Sequence, residues 1–291
     1  VRLHKTAIAA LALVACHPQP STTPTHGATD VGTPQTLSAD GRYVPAADRR
    51  PGVFPAAWRH KAGRAPVMGA HAMVASDAPL GSAAGVEILK RGGNAVDAAV
   101  AVGFAIAVAY PEAGNIGGGG YMVIRMADGR TAALDYREIA PLAATRDMYL
   151  DASGKLTDKS IVGPLASGVP GAVAGLTEAL AKYGTMSLAD VMAPAIRYAE
   201  EGIVVDSALA NSFRGNAKLL AEFEGRSLFV PNGQPLPAAS TLKQPALGRT
   251  LRAIAAKGRS AFYEGPIAEA WTNELRSAGG IITTEDLKGY K

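Results

Sequence analysis

Apolar positions recur at helical spacing in several separate stretches of the chain, each closed by glycine. Leu80, Ala84 and Ile88 repeat every four residues, with Ser76 or Asp77 placed to cap, Pro79 in the first turn and Gly92-Gly93 to stop the run. Asn94 is placed to cap a second helix, with Asp97 three residues on near its positive end. From Ala95 to Tyr110 the text is apolar on every face after Asp97, which predicts a helix buried all round. Its acid, its modest length and its ending at Pro111-Glu112 argue against a membrane span, which takes ~20 apolar residues. Further on, Ser187 and Asp190 read as a capping box, and Leu188, Val191, Met192, Ala195, Ile196 and Ala199 line one face before Gly202. Leu247, Leu251, Ile254 and Ala255 close at Gly258; Ile267, Trp271 and Leu275 close at Gly279-Gly280. These stripes predict core packing rather than a cofactor box.

Strand signals are fewer. Ala72-Met73-Val74-Ala75 reads as a short buried strand. Tyr121–Met126 and Thr131–Arg137 flank Asp128-Gly129, a hairpin signature, and four glycines, Gly117 to Gly120, stand just before it. No internal repeat is present.

The first 66 residues differ in kind. Arg2, His4 and Lys5 precede an apolar run from Ala7 to Ala15, the layout of a secretory signal. Leu13-Val14-Ala15-Cys16 resembles a bacterial lipobox, in which Cys16 carries the lipid; an ordinary signal with a chance cysteine is the alternative. The stretch 16–66 is rich in Pro, Ser and Thr and holds Pro18, Pro20, Pro24, Pro34, Pro45, Pro51, Pro55 and Pro66 of the 19 prolines. Such a segment buries too little apolar surface to offset its ordering entropy and reads as a tether. The expected organisation is a signal peptide over 1–15, a lipidated tether over 16–66 and a folded region over 67–291, exported to the periplasm and held to a bacterial membrane by lipid alone.

Composition then narrows the chemistry. The chain has 291 residues, 48% hydrophobic and 19% charged, too apolar for a disordered protein. A single cysteine excludes a disulfide framework and a thiolate zinc site. The net charge of +4 is halved once Arg2 and Lys5 are discounted, and no other Lys/Arg cluster resembles a nucleic-acid face, so no nucleic-acid partner is expected.

Familiar catalytic patterns are missing. The four glycines precede Tyr121-Met122 rather than Lys-Ser/Thr, and they stand between a helix and a strand, the reverse of a dinucleotide fingerprint. Oligoglycine here fits a close approach of backbone to backbone or to a ligand. His4, His17, His26, His60 and His71 show no zinc spacing, no histidine follows His71 to serve a triad, and no G-x-S-x-G elbow occurs. Arg137 stands out, at the end of the second hairpin strand in Leu134-Asp135-Tyr136-Arg137-Glu138-Ile139-Ala140-Pro141. There it could offer a planar fork to a carboxylate, or simply pair with Asp135 or Glu138; spacing alone leaves both open.

These segments carry a resemblance. Met73-Val74-Ala75-Ser76, Gly92 to Ala99, Gly117 to Gly120, Leu134 to Pro141, Val169-Pro170-Gly171-Ala172-Val173-Ala174-Gly175, Gln244-Pro245 through Gly265, and Gly279-Gly280-Ile281-Ile282-Thr283 resemble the large-subunit half of γ-glutamyltranspeptidases, in the same order from Met73 to Tyr290. The resemblance implies an α/β (α+β) N-terminal-nucleophile hydrolase with a four-layer αββα sandwich, present here only as its large-subunit part. It implies a precursor that cuts itself, a threonine nucleophile downstream of Lys291, and no cofactor or metal. It implies glutathione and other γ-glutamyl compounds as donors, water, amino acids or dipeptides as acceptors, and a small subunit from the same precursor as partner. It assigns Arg137 to the donor's α-carboxylate, with Glu138 in support. On this reading the 291 residues alone are inactive, and Thr283-Thr284, before Glu285-Asp286-Leu287, are a helix cap rather than the nucleophile. A cephalosporin or glutaryl acylase of the same superfamily and a non-catalytic peptide-binding lipoprotein are the alternatives.

Overall fold

The computed structural model describes residues 67–223 and 225–291; the leader, Cys16 and the proline-rich stretch lie outside them. The chain runs α1 (Pro79–Lys90), α2 (Ala95–Ala109), β1 (Tyr121–Arg125), β2 (Thr131–Asp135), α3 (Ala172–Tyr183), α4 (Leu188–Glu201) and β3 (Ile203–Val204). It continues through α5 (Ser207–Gly215), α6 (Ala217–Ala221), α7 (Arg226–Phe229), β4 (Thr241–Leu242), α8 (Pro245–Lys257), α9 (Ser260–Tyr263), α10 (Gly265–Ser277) and α11 (Thr284–Gly289).

α2 is the axis of the core, with α1, α3 and α4 packed around it. It starts where the sequence places it. The Asn94 side chain accepts the amides of Val96 and Asp97 at 2.8 and 3.0 Å, and Asp97 accepts the Asn94 amide at 2.7 Å, which satisfies the first turn from both ends of the box. Val100, Phe104 and Val108 are fully buried, each contributing about 1.5–3 kcal/mol by leaving water. The expectation of burial on every face is corrected at Ala95 and Ala99, which stay exposed. At the other end Gln244 donates to the Val108 carbonyl at 2.8 Å, supplying a partner for an orphan acceptor of the last turn.

Two further expectations change. α1 begins after Ala78, not at a Ser76 or Asp77 cap: the Ser76 hydroxyl is taken by the Ala78 carbonyl at 2.8 Å and by Ser82 at 2.9 Å. Ala72–Ala75 is no buried strand, because among the described residues no ladder partner lies beside it and Met73 is 58% exposed. The other stripes form as read. α4 follows a Ser187 cap, and α4 and α8 end at Gly202 and Gly258, both with positive φ. The buried faces of α4 and α8 pack together, Met192, Ala195 and Ala199 in one core with Leu251 and Ile254.

Sheet is scarce among the described residues. β1 and β2 pair antiparallel, Tyr121 opposite Asp135 and Arg125 opposite Thr131, joined through Asp128-Gly129. β3 and β4 form a second short pair over a smaller core of Val205, Leu209, Phe213 and Phe229, in which the two phenyl rings lie 5.2 Å apart. The β1–β2 hairpin buries Ile124 but turns Tyr121 and Val123 outward, 65% and 85% exposed.

Candidate functional site

The hairpin aims the segment 136–142 into a frame built from the rest of the chain. Gly120 and Tyr136 exchange both backbone hydrogen bonds, extending the β1–β2 ladder by one pair. One residue back, Gly119 runs against the backbone of Tyr136 to Glu138 so closely that a Cβ would collide with the Tyr136 carbonyl. Gly118 in turn accepts the amides of Gly171 and Ala172, both at 2.8 Å, at the entry to α3. The oligoglycine passage is thus a backbone-to-backbone crossing.

Arg137 leaves β2 at the point where the strand is turned aside. Asp135 accepts the Arg137 amide at 3.0 Å, an Asx-type turn that ends the ladder. The guanidinium then meets two neighbours: Nε donates to Glu138 Oε2 at 2.9 Å, and the group lies over the Tyr121 ring, 5.8 Å from its centroid. The hydrogen bond and charge of Glu138, and to a lesser degree the Tyr121 phenol, favour the charged form and push the Arg137 pKa up. The side chain is 57% exposed, a planar cation at the surface beside a glycine passage. Of the readings that spacing left open, the pairing is the one seen here, and it is with Glu138; Asp135 holds the Arg137 backbone rather than its side chain.

Behind Arg137 the segment is pinned by residues far away in sequence. Tyr290 donates its hydroxyl to the Arg137 carbonyl at 2.8 Å. Ile139 and Val169 exchange backbone bonds of 3.2 and 2.8 Å, and the Leu142 amide donates to Asp286 at 2.6 Å. Asp286 also forms the capping box of α11 with Thr283, so the Thr283-Glu285-Asp286 signature read as a cap is one. Burial, with the nearby charges of Asp135 and Glu138, pushes the Tyr290 phenol up and keeps it a donor. Gly171 is the second position where only glycine fits, because a Cβ would run into both the Tyr290 hydroxyl and the Tyr136 carbonyl.

The sequence signalled Arg137, Glu138 and the Thr283 cap. It gave no sign of Tyr290, or of Tyr263 and Arg259 beside it, since an aromatic stack between α9 and the end of α11 leaves no periodic trace. Among the described residues no group of three or more His, Cys, Asp or Glu could hold a metal ion, and no helix is long and apolar enough to cross a membrane.

The family model described as Gamma-glutamyltranspeptidase matches residues 81–291. The chain belongs to the γ-glutamyltranspeptidase family. It is 48% identical over 229 residues to the glutathione hydrolase proenzyme of Escherichia coli, covering 78% of this chain and 40% of that protein. It is also 44% identical over 234 residues to an acylase proenzyme of a Pseudomonas species, covering 78% of this chain and 42% of that one. Among solved structures, the γ-glutamyltranspeptidase of Helicobacter pylori superposes with a TM-score of 0.76 at 40% identity, over 78% of this chain and 66% of that one. The chain thus spans under half the length of these curated relatives, and its mixed helix-and-sheet fold is part of the N-terminal-nucleophile hydrolase architecture.

Proposed function

We propose that these residues form the large-subunit part of a γ-glutamyltransferase and glutathione hydrolase made as a precursor. The observation that carries this reading is Arg137, whose guanidinium stands exposed beside the glycine crossing while its backbone is held by Asp135 and Tyr290. A γ-glutamyl donor differs from an ordinary amide substrate in keeping a free α-carboxylate, and a fixed guanidinium is the side chain best shaped to select it. The acyl step then follows family chemistry: a threonine hydroxyl supplied by the rest of the precursor attacks the γ-amide carbonyl while its own α-amine takes the proton and backbone amides hold the oxyanion. The C–N bond then breaks, the α-ammonium gives that proton to the departing amine, and a γ-glutamyl-threonine ester remains. Water completes hydrolysis; an amino acid or dipeptide amine completes transfer. The 291 residues alone are inactive on this reading.

The outward face of the hairpin supports a partner subunit, because Tyr121 and Val123 present apolar surface that the remainder of the precursor would cover. Export as a lipoprotein, with a signal over 1–15, lipid on Cys16 and a tether over 16–66, completes the proposal and places the enzyme in the periplasm. Loss of fatty-acid labelling in Cys16→Ala tests the anchor.

A second reading is kept by the acylase relative: in a cephalosporin or glutaryl acylase the exposed guanidinium would meet the free carboxylate of a glutaryl donor instead. Release of glutamate from glutathione by the enzyme matured from the full precursor decides. Turnover of a glutaryl amide with none of glutathione would replace transferase by acylase, and no turnover of either would sink both.

A further inference from the structure

The exposed grip on Arg137 is weak by itself. Its side-chain partner Glu138 is a neighbouring surface carboxylate, and ion pairs of that kind hold little orientation against solvent. The direction of the guanidinium is therefore set chiefly by the backbone that carries it. That backbone is gripped at the Arg137 carbonyl, one bond from its Cα, by the Tyr290 hydroxyl at 2.8 Å.

Tyr290 is itself held from two sides. Its ring stacks on Tyr263 with centroids 5.8 Å apart and planes 24° apart. Tyr263 is fixed in turn, donating to the Pro170 carbonyl at 2.8 Å and accepting the Ala174 amide at 3.2 Å. Arg259 donates to the Tyr290 carbonyl at 2.7 Å while its guanidinium lies 4.9 Å from the Tyr263 ring centroid. The packing leaves Tyr290 only 3% exposed, so it reaches a ligand through Arg137 and not directly.

We propose that Tyr290 is a positioning residue for donor binding, its hydroxyl fixing the Arg137 carbonyl and with it the angle at which the guanidinium meets the donor α-carboxylate. The proposal rests on the γ-glutamyl reading above, and a pair of donors separates the two. One is γ-glutamyl-p-nitroanilide; the other is its α-methyl ester, which keeps the scissile amide and loses the charge that Arg137 reads.

The test uses the enzyme matured from the full precursor, unsubstituted and as Tyr290→Phe, which keeps the ring stack and deletes one hydrogen bond. The expected result is a KM for the free-acid donor raised roughly three- to tenfold with kcat within about twofold, and no KM difference between the two enzymes on the ester. An unchanged KM on the free acid, or an equal rise on both donors, overturns the proposal, since a merely structural loss does not distinguish them. Should Tyr290→Phe fail to mature, Arg259→Gln decides: a KM rise confined to the free acid supports the proposal, and an unchanged or donor-independent KM overturns it. Absence of turnover of the free-acid donor by the unsubstituted enzyme overturns the γ-glutamyl reading, and this inference with it.

Discussion

The Asp97 carboxylate, wholly buried on α2, accepts the Thr185 hydroxyl at 2.6 Å and so ties the start of α2 to the turn between α3 and α4. The same carboxylate takes the amides of Asn94, Thr185 and Met186 at 2.7, 2.8 and 3.1 Å. A residue that reads in sequence as a helix cap is also the polar rivet of the core. Asp97→Ala should strand these donors and cost ~2–4 kcal/mol of stability, seen as a lower urea midpoint. A loss below about 0.5 kcal/mol would show that water or relaxation replaces the carboxylate, contrary to this account.

Asp97 also makes a prediction about acid. Burial pushes its pKa up, but the Thr185 hydroxyl and the amides of Asn94, Met186 and Thr185 outweigh it and hold the carboxyl below its ordinary value. The unfolded chain therefore binds this proton at higher pH than the folded one, so the contribution is complete above the unfolded value near 3.8 and fades as pH falls through the lower folded value. Stability measured from pH 5 downward should drop more steeply in the unsubstituted protein than in Asp97→Asn. Parallel curves would assign the acid sensitivity elsewhere.

Gly171→Ala should destabilise by about 1–3 kcal/mol, because its methyl meets the Tyr290 hydroxyl and the Tyr136 carbonyl at once and one must yield. Differential scanning calorimetry reads the cost; an unaltered Tm would mean that the crossing has slack the geometry does not show.

Arg137→Ala in the matured enzyme should raise KM for glutathione by about tenfold or more, and Arg137→Lys should recover little of it, since an ammonium cannot reproduce the planar fork. Steady-state kinetics with glutathione check this. Full recovery by lysine would reduce the role of Arg137 to charge alone.

Thr283→Ala should cost about 1 kcal/mol through loss of the α11 cap and leave precursor cleavage intact. Gel analysis of the cleaved subunits is the readout, and blocked cleavage would return Thr283 to the chemistry.

What the sequence made legible follows the range of the forces involved. Helices α2, α4 and α8 are written in local periodicity and in caps such as Asn94 and Ser187, and the hairpin is written in Asp128-Gly129. Arg137 was visible because an arginine at a strand end beside four glycines is a local anomaly, while its donor role came only with the family resemblance. Its frame was not, because Tyr290, Asp286 and Val169 act across loops that no spacing rule joins. The failure at Ala72–Ala75 has the same cause, since an apolar run becomes a strand only where a partner edge exists. Ser76 misled by offering a hydroxyl that the Ala78 carbonyl takes instead.

The grips on 136–142 also impose an order in time. Arg137 and Tyr290 stand 153 residues apart, and Leu142 and Asp286 stand 144 apart. The ribosome releases the hairpin long before it releases the tyrosine and the aspartate that shape its exit. A nascent chain halted before α11 can complete its β-turn and its α1–α2 pair, yet it holds the arginine on an unfastened strand end. The fastening of Arg137 is thus withheld until this whole stretch of chain has been made and has closed back on its own beginning.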